Sequence, residues 1–364
     1  MIDLLQKSHQ NFDQIDFIGS PKSIAMMQAN GLEFKYYKTP AFIDKLPIYL
    51  GYPLRMFWGF LLILQLRGKV DFIYSTSDFF PDVIPSFLTT KIFRGSKWIQ
   101  CVMHIVPHYS KRKGLAVINM LSYWAQQLSL RIARGADSVI VINNVVKSEL
   151  IKKYNFKESN IFLITPGVDS SLYKEFRQDR VQNLTAHCYR FDCVYMGRFN
   201  EHKGVFDLPI IWAEVIRKNP SAKLAVIGSG NKYQLKKMHS LLDELKLSKN
   251  VTLFGFIDKN QCVSILQSSK LFIFPSYEEG FGLVLLEAFL NGNLVISWEL
   301  PHIKETFEGV VMTVPTGNIS EMARTIIHTL DDINLYPKKY EKIEALLRKY
   351  DLKIISQRFY ALMN

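Results

Sequence analysis

The sequence has few cysteines and lacks both a long apolar segment and a leader-like start, and each absence excludes a class of protein. Its four cysteines, Cys101, Cys188, Cys193 and Cys262, have no metal-binding spacing, which is typical of buried thiols in a reducing compartment. The longest apolar run, at residues 56–64, is far too short to span a bilayer. Without the charged-then-apolar order of a signal peptide, the chain is expected in the cytoplasm.

The sequence also lacks internal repeats and low-complexity segments, so its length must be explained by ordinary globular folding. Hydrophobic residues make up 48% of the chain and charged residues 21%, which excludes an intrinsically disordered protein. A chain of 364 residues is too long for one ordinary core, and we therefore expect two domains.

Positive charge is in excess, and most of the excess lies in the first half of the chain. The formal net charge is +12, and residues 1–170 hold 20 Lys and Arg against 12 Asp and Glu. No motif of a nucleic-acid module is present, so we expect no nucleic-acid partner. An anionic membrane surface, at the inner face of the cell membrane, is the better candidate.

The segment "HYSKRKG" at residues 108–114 places three cations and a tyrosine directly before an apolar helical pattern at 115–134. Two interpretations stay open for this arrangement. A basic loop followed by an apolar helix can form a peripheral membrane patch. The same pattern also fits an ordinary core helix that follows a solvated loop.

Apolar strand-like runs alternate with helical patterns throughout the chain, which indicates an α/β fold with two doubly wound parallel sheets. Examples are "VDFIYST" and "DSVIVIN" in the first half and "FDCVYMGR" and "KLFIFPS" in the second. We expect a first domain at residues 1–172 and a second at 173–345. The amphipathic segment 346–364 is expected to form a helix that packs back on the first domain.

The stretch "PSYEEGFGLVLLEAF" at 275–289 predicts the end of a strand, a loop with two glycines and a helix. The helix is apolar on nearly every side, yet it carries Glu287. A buried carboxylate needs a partner, which is either a vicinal diol such as a ribose or a core Arg or Lys. The stretch alone does not distinguish the two.

Ligands of doubly wound sheets lie beyond the carboxyl ends of the strands, and several polar residues follow predicted strands directly. Cations beside a helix N-terminus are typical of a diphosphate site. The residues at these strand ends are Gly197, Arg198, Lys203, Gly228, Glu279 and His104.

Together, "GRFNEHKG", "VIGSG", "FGFI" and "PSYEEGFGLVLLEAF" resemble the retaining glycosyltransferases of the large family four, the glycosyl transferases group 1. The ordered match covers residues 191–330 well and the first half more weakly. The resemblance implies a GT-B fold, in which two Rossmann-like domains face a central cleft.

The resemblance also implies how the donor is held. Arg198 and Lys203 are expected to bind the diphosphate of a nucleotide-sugar, beside the glycine turns at Gly197 and Gly228. Glu287 is expected to accept hydrogen bonds from the ribose hydroxyls.

The loop at 279–283 is expected to contact the transferred sugar. Glu279 is assigned a catalytic role next to that sugar. Gly280 and the amides of Phe281, Gly282 and Leu283 are expected to approach the sugar and the phosphate.

A histidine from the first half completes the implied site. His104 directly ends a predicted strand and matches a histidine close to the transferred sugar and the acceptor. His108 is the rival candidate, and a capping role for His104 is the structural alternative.

The implied reaction moves a sugar from a nucleoside diphosphate to a glycan or lipid-linked acceptor with retention, in cell-surface polysaccharide synthesis. The departing phosphate accepts the proton of the acceptor, and no cofactor or metal is required. No acidic pair of the "DxD" type follows a predicted strand.

The sequence departs from the family at its start, where the first strand and its glycine loop are expected to be missing. Residues 1–12 read as the helix that follows them, and "QIDFIGS" reads as the second strand. Either the start of the chain is truncated or misassigned, or the protein has lost part of the structure that covers the donor and acceptor. In the second case the alternative function is a non-catalytic relic that binds nucleotide-sugars or a membrane. A hydrolase or epimerase of nucleotide-sugars is a third candidate.

Overall fold

The structure, a computed structural model, describes residues 12–363 except 30–31, 33, 67–68, 113–114, 183–188 and 333–334. The chain forms two compact units, of which unit 1 comprises 1–166 with 352–364 and unit 2 comprises 167–351. The sequence placed these boundaries after residues 172 and 345. The predicted helix at 1–12 and the strand expected to be missing before it lie outside the described residues.

Unit 1 contains two parallel sheets in its described part. One pairs β1 with β2, and the other has the order β3-β4-β5-β6. The strands are β1 (Asp16–Gly19), β2 (Lys35–Lys38), β3 (Phe72–Ser75), β4 (Lys97–Val102), β5 (Ser138–Val141) and β6 (Ile161–Leu163). The helices are α1 (Pro21–Ala29), α2 (Ile48–Ile63), α3 (Phe80–Ile92), α4 (Ala116–Ala133), α5 (Asn144–Tyr154) and α14 (Leu352–Ala361).

The core of unit 1 lies on both faces of the four-stranded sheet. On one face, Ile355 and Phe359 of α14 pack against Ile99 and Cys101 of β4. On the other face, α4 and α5 pack against Trp98 of β4 and against Val139 and Val141 of β5. The last helix of the chain is therefore part of the first unit's core, although 185 residues of unit 2 separate it from the rest.

Unit 2 contains one six-stranded parallel sheet with the order β12-β11-β10-β7-β8-β9. The strands are β7 (Phe191–Met196), β8 (Leu224–Ile227), β9 (Val251–Gly255), β10 (Ser269–Phe274), β11 (Leu294–Trp298) and β12 (Met312–Val314). The helices are α6 (Lys174–Gln182), α7 (Leu208–Lys218), α8 (Lys232–Glu244), α9 (Lys259–Gln267), α10 (Leu283–Leu290), α11 (Pro301–Thr306), α12 (Ile319–Asp331) and α13 (Leu335–Lys349).

The chain reverses its direction across this sheet between β7 and β10. Strands β7, β8 and β9 follow one another toward one edge, whereas β10, β11 and β12 run from β7 toward the other edge. At such a switch point the connections after the two neighbouring strands lead toward opposite edges of the sheet, and ligands bind in the crevice at the carboxyl ends of the strands. The topology thus singles out the loops after β7 and β10.

Two buried arginines of α6 tie the start of unit 2 to the rest of its core. Arg177 is fully buried, and its Nε donates to Glu344 of α13 at 2.6 Å. Its other nitrogens donate to backbone carbonyls, including that of Leu290. The guanidinium of Arg180 lies between the rings of Tyr189 and Tyr336, 4.8 and 5.1 Å from their centroids, and its burial lowers its pKa.

Replacing Arg177 with Met should lower the free energy of unfolding of unit 2 by about 3–5 kcal/mol, because Glu344 is left as a buried, uncompensated charge. The matched control is Lys304→Met, which removes a surface cation 2.9 Å from Glu299 and should cost at most about 1 kcal/mol. Hydrogen exchange of the β10 amides in urea measures both losses. Equal losses would contradict the role of Arg177.

Candidate functional site

The loops after β7 and β10 contact each other at the switch point of unit 2. The β7 loop contains the short helical turn Glu201–Lys203, which ends at Gly204 with a φ of 64°. A Cβ atom on Gly204 would lie 1.8 Å from the carbonyl oxygen of Pro275. The carbonyl of His202 also accepts the backbone N–H of Tyr277 at 2.8 Å. The two loops therefore pack backbone against backbone, and only glycine fits at 204.

The packing of these loops brings a predicted cation and a predicted carboxylate together. The Nζ of Lys203 lies 2.7 Å from Oε2 of Glu279 and donates to the carbonyl of Glu278 at 3.3 Å. The other carboxylate oxygen of Glu279 accepts the N–H of Gly280 at 3.0 Å. The Lys203 and Glu279 side chains are 26% and 20% exposed, so a ligand can reach both.

A second contact, between an imidazole and a carboxylate, lies beside the first and was not predicted from the sequence. Nδ1 of His202 lies 3.2 Å from Oε1 of Glu278. Since His202 and Glu278 directly precede Lys203 and Glu279, this pair holds the same two loops in register. The adjacent pairs "HK" and "EE" are the only sequence signal that could have indicated it.

Arg198 is exposed, and no ion pair of its side chain is found in the described part of the chain. Next to it, Gly197 and Gly228 bring the loops after β7 and β8 together. A Cβ atom on Gly228, whose φ is 131°, would lie 1.9 Å from the carbonyl oxygen of Gly197. Lys203, Arg198 and Gly228 therefore lie together at the carboxyl ends of the three neighbouring strands β10, β7 and β8.

Helix α10 begins at this point, and its first turn faces no capping side chain. Gly282 occupies the N-cap position with a φ of 91°, and it has no side chain that could cap the helix. Phe281 is buried, and it contacts the rings of Phe307 and Tyr350. The amides of 281–283 lie at the positive end of the helix dipole, as an anion site requires.

Glu287 is half-buried and lies one turn into α10, as the fifth of its eight residues. The helix begins directly after Gly282, as predicted, but the carboxylate that was expected to be buried is only half-buried. The pKa of the Cys262 thiol on α9 is raised by burial and by the negative charges of Glu287 and Asp258. The carboxylate of Glu287 is therefore close enough to α9 to act on it electrostatically.

His104 belongs to unit 1, where it follows β4, and it is half-buried. The side-chain amide of Gln126 holds its loop: Nε2 donates to the His104 carbonyl at 2.6 Å and Oε1 accepts the Val106 N–H at 2.7 Å. The same Nε2 donates to Asp78, a carboxyl whose pKa burial raises to about 6. The backbone at His104 is thus fixed by a buried polar network.

His108, the rival histidine, has a structural partner of its own. Its Nδ1 lies 2.8 Å from the hydroxyl of Ser110, and it caps the short helix Tyr109–Lys111. The imidazole is exposed and stacks on Tyr109, with ring centroids 4.1 Å apart. These contacts explain His108 without any ligand.

No group of three or more His, Cys, Asp or Glu side chains among the described residues could hold a metal ion. In the same part of the chain, the helices are all too short or too polar to cross a membrane. What the described site offers instead is an ammonium, a guanidinium, a helix start and two carboxylates.

Comparison with known proteins gives a consistent result. Residues 185–346 match the family model described as glycosyl transferases group 1. The chain is 28% identical, over 46% of its length, to D-inositol 3-phosphate glycosyltransferase of Corynebacterium aurimucosum. It is 26% identical, over 56% of its length, to the capsular polysaccharide biosynthesis glycosyltransferase CapM of Staphylococcus aureus. These matches span 42% and 52% of the two relatives.

Solved structures match over more of the chain. A crystal structure of Anabaena HepE in complex with UDP and glucose covers 99% of this chain and 94% of its own, with a TM-score of 0.75 and 18% identity. Staphylococcus aureus TarM covers 85% of this chain and 59% of its own, with a TM-score of 0.68 and 17% identity. These likenesses confirm the predicted fold.

Replacing Gly204 with Ala should lower the free energy of unfolding by about 2–5 kcal/mol, since the methyl group adds a backbone clash to the left-handed conformation. Gly255→Ala is the matched control. Its φ of 70° is similar, but nothing lies within 4 Å of the added Cβ, so the cost should be only about 1–2 kcal/mol. Urea unfolding compares the two. A smaller loss at 204 than at 255 would contradict the loop contact.

Proposed function

Because the chain has the GT-B fold and its residues 185–346 match the model of the glycosyl transferases group 1, we propose that it transfers a sugar from a nucleoside diphosphate to a glycan or lipid-linked acceptor. The transfer retains the anomeric configuration and serves cell-surface polysaccharide synthesis in the cytoplasm. The observation that carries this proposal is the pair of Lys203 and Glu279, 2.7 Å apart at the switch point. One side chain suits the phosphate of the donor and the other its sugar.

The donor diphosphate binds between Arg198, Lys203 and the first turn of α10. An ammonium has three N–H donors, and the carbonyl of Glu278 and the carboxylate of Glu279 engage two of those of Lys203. The third donor is available to a phosphate oxygen. Arg198 adds a planar guanidinium, which suits two phosphate oxygens at once.

The nucleoside extends from the phosphates along α10 toward α9. Glu287, one turn into α10, accepts hydrogen bonds from the two hydroxyls of the ribose. We choose a uridine diphosphate sugar as the first donor to test, because the HepE structures contain UDP, glucose and UDP-glucose. The name of CapM supports an acceptor in polysaccharide synthesis.

The reaction breaks the bond between the anomeric carbon and the phosphate oxygen and forms a bond from that carbon to the acceptor oxygen. Negative charge develops on the departing phosphate, where Lys203, Arg198 and the α10 amides stabilise it. The sugar becomes oxocarbenium-like, and the carboxylate of Glu279 stabilises its positive charge. The departing phosphate accepts the acceptor's proton on the same face, which retains the configuration, and His104 binds near the sugar and acceptor. This scheme requires no metal.

UDP-sugars should raise the melting temperature of the full chain, since they bind only the native state. Arg198→Ala should weaken UDP binding by about 1.5–3 kcal/mol, the range for charge-assisted hydrogen bonds. Lys203→Ala should weaken it more, because the charge of Glu279 then faces the phosphate without its partner. Calorimetry measures the affinities, and Arg217→Ala, an exposed cation on α7, is the control.

Three results would decide the proposal. If no nucleotide-sugar raises the melting temperature of the chain, the proposed donor site is wrong. If Arg198→Ala and Lys203→Ala both leave the affinity for UDP unchanged, neither side chain belongs to that site. Binding without transfer to any acceptor glycan would indicate the non-catalytic alternative. Nuclear magnetic resonance of the product reports whether the anomeric configuration is retained.

Replacing Glu287 and replacing Glu279 should have different effects on the steady-state kinetics. Glu287→Gln should raise the KM for the donor more than it lowers kcat, because the ribose contact is the same in the ground state and the transition state. Glu279→Gln should mainly lower kcat, since charge develops on the sugar only during transfer. Steady-state kinetics and calorimetry with bare UDP measure both variants.

The reverse pattern would contradict this assignment. If Glu279→Gln abolishes UDP binding while Glu287→Gln leaves it intact, the roles are exchanged. If Glu287→Gln unfolds the protein without ligand, the carboxylate is a structural partner in the core.

A further inference from the structure

Helix α4 of unit 1 presents an apolar stripe to solvent. Val117, Leu121, Trp124 and Leu128 follow the spacing i, i+4, i+7, i+11, which places them along one side of the helix. Their exposed fractions range from 49% for Leu128 to 64% for Val117. Single exposed apolar residues are ordinary, but an aligned row that includes a tryptophan indicates a surface that binds another molecule or a membrane.

The opposite side of α4 is buried, and it carries polar side chains in addition to Leu130 and Ala133 of the core. Asn119, Gln126 and Ser129 are each less than 5% exposed. Gln126 forms hydrogen bonds to the backbone at His104 and Val106 and to Asp78. Rotating the helix to bury its apolar side would break these bonds in the interior. The outward direction of the apolar stripe is therefore fixed by the fold.

The charge in the chain segment that contains the stripe has one sign. Residues 83–136 contain eight Lys and Arg and no Asp or Glu. Lys111 lies before the helix, and Arg131 and Arg134 lie at its end; all three are exposed. An apolar row with cations at both ends matches the layering of a lipid surface, in which anionic headgroups surround an apolar interior.

We propose that the outward face of α4 docks on an anionic lipid membrane, with the helix lying in the plane of the interface. Trp124 and Leu121 enter the boundary between headgroups and acyl chains, while Lys111, Arg131 and Arg134 contact lipid phosphates. A second copy of the chain fits this face poorly, because it would bring a second set of cations against the first. The inference concerns α4 alone and does not depend on the proposed reaction.

The test is co-sedimentation of the full chain with vesicles of phosphatidylcholine, either pure or mixed with phosphatidylglycerol. We expect binding to the anionic vesicles only. The binding should weaken as salt rises from about 0.1 M to about 1 M, because the Debye length then falls from about 10 Å to about 3 Å. No binding at low salt, or equal binding to both vesicles, would overturn the proposal.

Two double variants separate the apolar and the charged contributions. Leu121→Ser with Trp124→Ser should weaken binding roughly tenfold or more at an unchanged melting temperature, because both side chains are already exposed in the folded state. Lys111→Gln with Arg131→Gln should weaken it and reduce its salt dependence. The matched controls in unit 2 are Ile210→Ser with Tyr233→Ser and Arg217→Gln with Lys218→Gln, which should bind like the original chain.

Fluorescence locates the inserted residue. Brominated lipids should quench the original chain, and Trp124→Phe should lose most of that quenching, because Trp98, Trp212 and Trp298 are fully buried and Trp58 is half-buried. Quenching that persists in Trp124→Phe would place the contact elsewhere and overturn the proposal. Light scattering that shows dimers, abolished by the Leu121 and Trp124 double variant and unaffected by vesicles, would assign the stripe to a second copy instead.

Discussion

The contact of Gly204 with the carbonyl of Pro275 is the constraint on which the candidate site depends. It allows the loops after β7 and β10 to touch through their backbones at the switch point of the sheet. Any larger residue at 204 would separate the loops, and Lys203 and Glu279 could not remain 2.7 Å apart. The charge arrangement of the site thus depends on the absence of a side chain at 204, because the ion pair requires the close approach of the two backbones.

Buried polar groups perform a similar task elsewhere in both units. In unit 2, Arg177 reaches Glu344 across 167 residues of sequence and fixes α6 to the core. In unit 1, Gln126 fixes the loop at His104 and, with it, the outward direction of the apolar side of α4. These groups contribute position more than net stability, since a buried charge or amide tolerates only the arrangement that satisfies it.

Local sequence patterns predict most strands and helices of unit 2 and place its charged residues in the loops after the strands. The apolar run of β10, the glycines after it and the helix formers of α10 predict their structures from nearest neighbours, as do the strands β7 to β9. The strand β2, with the sequence "KYYK", was not predicted because its two inner residues lie between charged ends and it lacks an apolar run. The pair of His202 with Glu278 and the partner of Arg177 join residues distant in the chain. No local periodicity reports such contacts, nor does it report the hydrogen bonds that hold the buried Gln126 of α4.

The ion pair of Lys203 with Glu279 has a consequence for product release. Under the proposed reaction, an intact donor offers sugar hydroxyls to the carboxylate and phosphate oxygens to the ammonium, so both charges gain partners. After transfer the sugar has left, and the spent nucleotide brings an additional negative charge toward a carboxylate that has lost its hydroxyl donors. In the proposed scheme, the carboxylate that stabilises the reacting sugar then repels the leaving group. The electrostatic difference between the intact donor and the spent nucleotide would favour product release and hence turnover.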